Sequence, residues 1–215
     1  LTMKFILLFL SFAASANCKL GFDAIVEISI PAFQCLKNSS YEFYIARVFR
    51  STGTLDNTGI GNIQNANLAG LETDAYLFPC FADGCGNGTD QVTKAVSALR
   101  TAGAYYVGTL WLDIEKFKWS DDIQANRVFI QQMIDTARTL KVKVGIYTER
   151  IWWSMIVGDW KGGWELPLWW AHYDKQAAIG NFHPFGGWTS PTLHQFSGDV
   201  EGPCGVKEID QNFMI

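Results

Sequence analysis

The stretch YYVGTLWLDIE, residues 105–115, decides how the chain is read. Residues 105–112 are dense in aromatic and β-branched side chains and lack the polar alternation of a half-solvated strand. A near-continuous apolar run of this kind suits a strand buried on both faces, as in a parallel sheet covered by helices. The run then gives way to Asp113 and Glu115, two positions apart. Side chains alternate along a strand, so the two carboxylates point the same way, roughly 6.6 Å apart along the backbone. Like charges in a buried setting are costly unless the molecule uses them. The alternative is that the strand has ended by Asp113 and both groups sit in a solvated loop.

Working outward, similar apolar runs occur at LGFDAIV (20–26), EFYIARVF (42–49), DAYLF (74–78) and VKVGIYT (142–148), with helical patterns between them. Ser120–Leu140 is the clearest helix. Ser120 is its expected N-cap, Asp121 and Asp122 suit its positive end, and Ile123, Ile130, Met133, Ile134, Ala137 and Leu140 form one apolar stripe. Thr89–Ala102 is a second helix, stopped by Gly103. Four strand–helix units therefore account for the first 150 residues. Beyond them the helical rhythm is lost, although LPLWWAHY (166–173), TLHQF (192–196) and KEIDQNF (207–213) are strand-like. The expected class is α/β, a modified TIM-like (β/α) barrel with an irregular C-terminal half. No strand is followed by a G-x-G-x-x-G or G-x-x-x-x-G-K loop, which removes the usual nucleotide-binding readings.

The ends and the composition set the setting. Lys4, the apolar run Phe5–Ala14 and the A-x-A pattern Ala14-Ser15-Ala16 read as a signal peptide over residues 1–16, leaving a single domain at 17–215 in the secretory pathway. A formal charge of −4 with no basic cluster argues against nucleic acid as a partner, and no later apolar run is long enough to span a membrane. Five cysteines in a secreted chain suggest disulfides with one thiol left over. Cys80 and Cys85 bracket the tight loop CFADGC and are the best pair; Cys204 then pairs with Cys18 or Cys35, a choice left open, and Cys35 reads as a small buried side chain rather than a nucleophile. Asn38 and Asn87 begin glycosylation sequons, which implies surface loops. His172, His183 and His194 form no metal-binding pattern, and no metal or cofactor is expected.

In a β/α barrel the active site lies at the C-terminal ends of the strands. Asp23 follows the first strand, Asp113 and Glu115 the fourth, and Asp210 lies in the last strand-like piece. Acids converging there would raise one another's pKa and create a general acid. Seven of the nine tryptophans lie between positions 152 and 188; most should fill the irregular half of the core, with a few free to stack on sugar faces.

These residues together resemble the Chalaropsis-type lysozymes, glycoside hydrolase family 25. GFD (21–23), AYLF (75–78), WLDIE (111–115), GIYT (145–148), LWWAHY (168–173), HQF (194–196) and IDQNF (209–213) are similar to that family's short motifs and occur in its order. The resemblance implies a secreted or vesicular enzyme, acting as a monomer on bacterial peptidoglycan and cleaving between N-acetylmuramic acid and N-acetylglucosamine. It further implies Glu115 as proton donor, Asp113 as its partner, Asp23 and Asp210 completing the acidic site, and Tyr76, Phe78, Tyr147, Trp169, Tyr173 and Gln195 at substrate-binding positions. The chain departs from the family at AIVEI (24–28) and at Phe196, where tyrosine is common. A pair spaced roughly 6–7 Å apart is wider than an ordinary retaining pair and near the lower end for inverting ones. The substrate's own acetamido group offers a third route, steered by Asp113, and this is the favoured expectation. A non-catalytic sugar-binding barrel and a metal-dependent phosphodiesterase barrel are the rival classes.

Overall fold

The computed structural model describes residues 18–215; the signal-peptide reading of residues 1–16 lies outside the described residues. Eight strands close into a barrel in sequence order: β1 (Lys19–Ala24), β2 (Tyr41–Phe49), β3 (Glu72–Leu77), β4 (Val107–Asp113), β5 (Lys143–Thr148), β6 (Leu168–Ala171), β7 (Leu193–Val200) and β8 (Ile209–Met214). β1 to β7 pair in parallel, while β8 runs antiparallel to both β7 and β1. The barrel class expected from the strand–helix alternation is the one observed. Helices α1 (Ile30–Asn38), α2 (Asn57–Ala69), α3 (Gly88–Thr101), α4 (Ile123–Thr139) and α5 (Arg150–Val157) follow the first five strands. After β6 and β7 come only irregular segments and one 3₁₀ turn, Pro203–Gly205. The C-terminal half is thus irregular, except for α5, whose RIWWSMIV sequence the helical reading passed over.

Period-two alternation divides each strand between two cores. Phe43 and Ile45 of β2, Trp111 of β4, Tyr147 of β5, Trp169 of β6 and Leu193 of β7 pack together inside the barrel. Their neighbours Tyr44, Ala46, Val48, Leu110, Leu112, Val144, Ile146, Leu168 and Trp170 face outward against the helices, joined there by Ile63, Val92, Ile130 and Met133. An interior this rich in rings needs gaps opposite them. A side chain at Gly21 would strike the Phe43 ring, and one at Gly145 the Trp111 ring, so glycine stands where two aromatic residues fill the barrel.

Several local expectations are corrected. The N-cap of α4 is Asp122, whose carboxylate accepts from the backbone of Gln124 and Ala125 at 2.9 and 3.2 Å. Ser120 instead accepts from the Asp122 backbone, one step outside; Ile123 is exposed, so the buried stripe begins at Ile130. Asn87 is the N-cap of α3 in a reciprocal capping box with Asp90, and Asn38 ends α1, so neither sequon asparagine lies in a free loop although both are exposed. Cys80 pairs with Cys85, and Cys204 with Cys35, which is an exposed position and not a buried one; Cys18 is exposed and unpaired among the described residues. Of the tryptophans after residue 150, Trp153, Trp169, Trp170 and Trp188 are buried and Trp164 is exposed. No described helix is long and apolar enough to cross a membrane.

Candidate active site

The alternation that builds the barrel also assembles a cleft at one end. Because β8 is antiparallel, its first residues meet the C-terminal ends of the other strands, and Asp210 pairs directly with Asp23 of β1. Asp113, the last residue of β4, sits opposite Tyr147; Tyr147 sits beside Trp169, and Gln195 beside Ala171. All of these face inward. Asp23, Asp113, Tyr147, Trp169, Gln195 and Asp210 line one cleft of ≈ 230 Å³ together with Tyr76, Phe78, Glu115 and Tyr173. Each of the ten positions singled out in the sequence therefore borders this cleft.

β4 stops at Asp113, and Glu115 lies in the segment beyond it, so a pure strand rise does not fix their separation. The alternation nonetheless continues for two more residues: Ile114 is fully buried in the outer core, which turns its neighbours toward the cleft. The segment is pinned by its backbone. The Ile114 N–H donates to the Tyr147 carbonyl at 2.8 Å, the Thr148 hydroxyl donates to the Ile114 carbonyl at 2.6 Å, and the Trp119 indole donates to the Glu115 carbonyl at 2.9 Å. Neither acid sits in a solvated loop: Asp113 is buried and Glu115 is half-buried at the cleft mouth.

Gln195 is the hub of the polar network. Its amide nitrogen donates to Asp23 at 2.9 Å and to Asp210 at 3.2 Å, while its carbonyl accepts from the hydroxyls of Tyr147 (2.7 Å) and Tyr173 (2.9 Å). Asp23 accepts a second bond from Asn212 at 2.7 Å, and Trp169 fixes that amide by donating to its oxygen at 2.8 Å. Asp210 accepts from the Asp199 backbone N–H at 2.7 Å. Asp113 differs from both: its Oδ1 is buried and has no partner in the protein. A buried carboxylate oxygen without a donor is costly, and this atom is left free to accept one.

Burial pushes all four carboxyls upward, and neighbouring carboxylates add to the effect. Burial raises Asp113 well above the ordinary carboxylate range, with Glu115 and then Asp23 adding to it and Arg47 opposing. Burial and then Asp210 raise Asp23 well above that range, against the hydrogen bonds from Asn212 and Gln195. Glu115 is raised by burial, then by Asp210 and Glu149. Asp210 is pushed up to about 6, chiefly by burial. Such a cluster retains protons under mildly acidic conditions, the requirement for a general acid.

The sequence reading missed Arg47 and Asn212. Both were accessible to it: Phe43, Ile45 and Arg47 share one face of β2, and Asn212 shares a face with Asp210. A cation on an inward face is unusual enough to signal a site. The Arg47 Nε donates to the buried Asp56 at 2.7 Å, which also accepts from Arg50 at 2.7 Å and caps α2. Arg47 is thereby anchored beside the acids. Among the described residues, no group of three His, Cys, Asp or Glu side chains is gathered as a metal-ligand set.

With this geometry in view, comparison with known proteins is decisive. The sequence family described as "Lysozyme-like protein 1" matches residues 14–196. The chain is 38% identical over 208 residues to "Probable GH family 25 lysozyme 4" of Dictyostelium discoideum, covering 95% of this chain and 96% of that one. The chain belongs to the family 25 lysozymes. It is accordingly a glycoside hydrolase of peptidoglycan. It is also 40% identical over 211 residues to "Lysozyme-like protein 5" of Caenorhabditis elegans, covering 97% and 96% of the two chains. Among solved structures, the family GH25 lysozyme from Aspergillus fumigatus superposes with a TM-score of 0.72 at 18% identity, over 93% and 94% of the two chains. At that identity the likeness bears on the fold, and it is the same barrel. The two disulfides of this family 25 lysozyme are consistent with a protein of the secretory pathway.

Proposed function

We propose that this lysozyme hydrolyses the β-1,4 bond between N-acetylmuramic acid and N-acetylglucosamine by substrate-assisted catalysis, with Glu115 as the general acid and Asp113 as the group that steers the substrate's acetamido arm. The observation that carries this reading is the buried, unpartnered Oδ1 of Asp113 in the cleft. An amide N–H is the donor it lacks. Accepting that N–H turns the acetamido carbonyl oxygen toward the anomeric carbon, so the substrate supplies its own nucleophile. Glu115, at the cleft mouth, gives its proton to the glycosidic oxygen as the bond breaks; the resulting carboxylate then takes a proton from the water that opens the cyclic intermediate. Asp23 and Asp210, held by Gln195 and Asn212, turn carboxyl oxygens toward a ring that becomes cationic in the transition state. The enzyme acts as a secreted or vesicular monomer of one domain, residues 17–215, on bacterial cell walls.

A raised donor pKa places the activity optimum below neutrality, because the reacting form of Glu115 is the protonated one. In a cell-wall clearing assay, Glu115→Gln keeps the side chain's shape and removes the transferable proton. Turnover should fall by roughly 10²-fold or more while the variant still sediments with cell walls. Near-normal clearing by that variant would overturn the assignment.

A further inference from the structure

His194 is fully buried on β7, and the mechanism gives it no part. It pairs across the sheet with Trp170 of β6, and the two rings stack at 4.4 Å. Each ring nitrogen meets a backbone carbonyl: Nδ1 lies 2.5 Å from the Ala178 oxygen and Nε2 2.7 Å from the His172 oxygen. Carbonyls only accept, and a neutral imidazole has one N–H to donate. In the neutral form one nitrogen would aim a lone pair at a carbonyl in a place closed to water. The imidazolium satisfies both contacts. Its charge is offset on two sides. Asp174 sets Oδ1 3.8 Å from Nε2, and the Trp170 ring presents its face. That carboxylate is itself fixed by the Gln176 backbone N–H at 2.9 Å and the Asn181 amide at 3.2 Å. The other titratable neighbour is the exposed His172, whose ring centre lies 6.1 Å away. It stands 4.0 Å from Asp174 and is also sensed by the Glu149 carboxylate. The residue paired with His194 on β8 is Phe213, which carries no charge.

We propose that His194 is a positioning residue for the cleft: doubly protonated, it clamps both ends of the bend 172–178 and so holds Tyr173 against Gln195. Three observations fit this role. First, the two carbonyls that His194 grips bracket Tyr173, whose hydroxyl reaches Gln195 at 2.9 Å. Second, no helix supports the chain between β6 and β7, so its shape depends on bonds of this kind. Third, the exposed Lys175 inside the bend takes a left-handed φ of 60°, a conformation that costs a lysine free energy and persists where the surroundings enforce it. Loss of one proton from the ring would release one of the two carbonyls and loosen the bend. The clamp therefore closes under the acidic conditions that the donor role of Glu115 requires.

Nitrogen NMR of histidine-labelled enzyme reads the ring directly. At about pH 5 both His194 nitrogens should carry protons, and one proton should leave before about pH 9. Hydrogen exchange of the Asp174, Lys175 and Ala178 amides is followed over the same range and corrected for the intrinsic pH dependence of exchange. Protection should fall roughly tenfold where the proton leaves, the scale of one charge-assisted hydrogen bond. His194→Gln can donate from a single nitrogen only. Its protection should lie roughly tenfold below that of the wild type at about pH 5 and stay level as pH rises. The ratio of cell-wall clearing rates, wild type over variant, should shrink along the same curve; the ratio cancels the titration of the cleft acids, which both proteins share. A ring with one proton at about pH 5, or one that keeps both to about pH 9, would overturn the proposal. So would a protection or a ratio that stays flat while the ring changes form. The clearing ratio rests on the muramidase reading above, but the ring and exchange measurements need neither substrate nor variant. They decide the clamp even where His194→Gln fails to fold, and their failure leaves the muramidase reading intact.

Discussion

Replacing Asp210 by asparagine should make the protein more stable at neutral pH and flatten its dependence on pH. In the fold Asp210 titrates at about 6, against an ordinary value of 3.8. At about 1.36 kcal/mol per unit, ionising it costs at most about 3 kcal/mol. The group is half-buried, so solvent screening reduces this to roughly 1–2 kcal/mol. The sign follows from proton binding. The folded state holds the Asp210 proton more tightly than the unfolded chain, so this contribution is fully present below about pH 3.8 and is lost as pH rises through about 6. Asparagine cannot ionise, and its carbonyl still accepts the Asp199 N–H that Asp210 accepts at 2.7 Å. It forfeits the 3.2 Å bond from Gln195, a loss of about 1 kcal/mol that is nearly independent of pH. The measurement is urea unfolding of both proteins between pH 4 and 7.5. The stability difference, variant minus wild type, should grow by roughly 1–2 kcal/mol across that range, equivalent to about 2–8 °C in Tm for a chain of this size. Parallel profiles would refute the argument, because they would mean that Asp210 ionises in the fold as freely as in the unfolded chain.

The two disulfides should differ in weight. Cys35–Cys204 closes a loop with a separation of 169 residues and Cys80–Cys85 one of 5, so loop entropy assigns roughly 5 and roughly 2 kcal/mol. Removing each pair by serine substitution and comparing denaturant midpoints checks the order, and a larger loss from the 80–85 pair would contradict it. Time-resolved NMR of the first reducing-end product should show the β anomer, and glycans lacking the 2-acetamido group should be inert. Early appearance of the α anomer would replace substrate assistance by inversion, with Asp113 activating water.

Much of this molecule is written locally in its sequence. Near-continuous apolar runs such as VGTLWL and VKVGIYT mark strands because such a run suits a strand buried on both faces, although Tyr105 and Tyr106, which open the longer run YYVGTLWL, precede β4 and are exposed. The alternation of side chains along a strand then puts Asp23, Tyr76, Asp113, Tyr147, Trp169 and Gln195 on inward faces before any partner strand is known. The CFADGC disulfide was legible for the same reason, since a separation of five residues leaves little choice. What depends on distant contacts was not legible. The partner of Cys204 is Cys35 because closure of the barrel brings the end of the chain back over α1, a fact no spacing encodes. β8 turns antiparallel, and only that reversal sets Asp210 beside Asp23. The cap of α4 moved from Ser120 to Asp122 because Asn126 holds the Ser120 backbone through bonds to both its N–H and its carbonyl. Most telling is the contrast among the acids. Nothing in WLDIE distinguishes a carboxylate with partners from one without. Only the packed barrel gives Asp23 two amide donors and leaves Asp113 with a buried oxygen that none of its neighbours can reach.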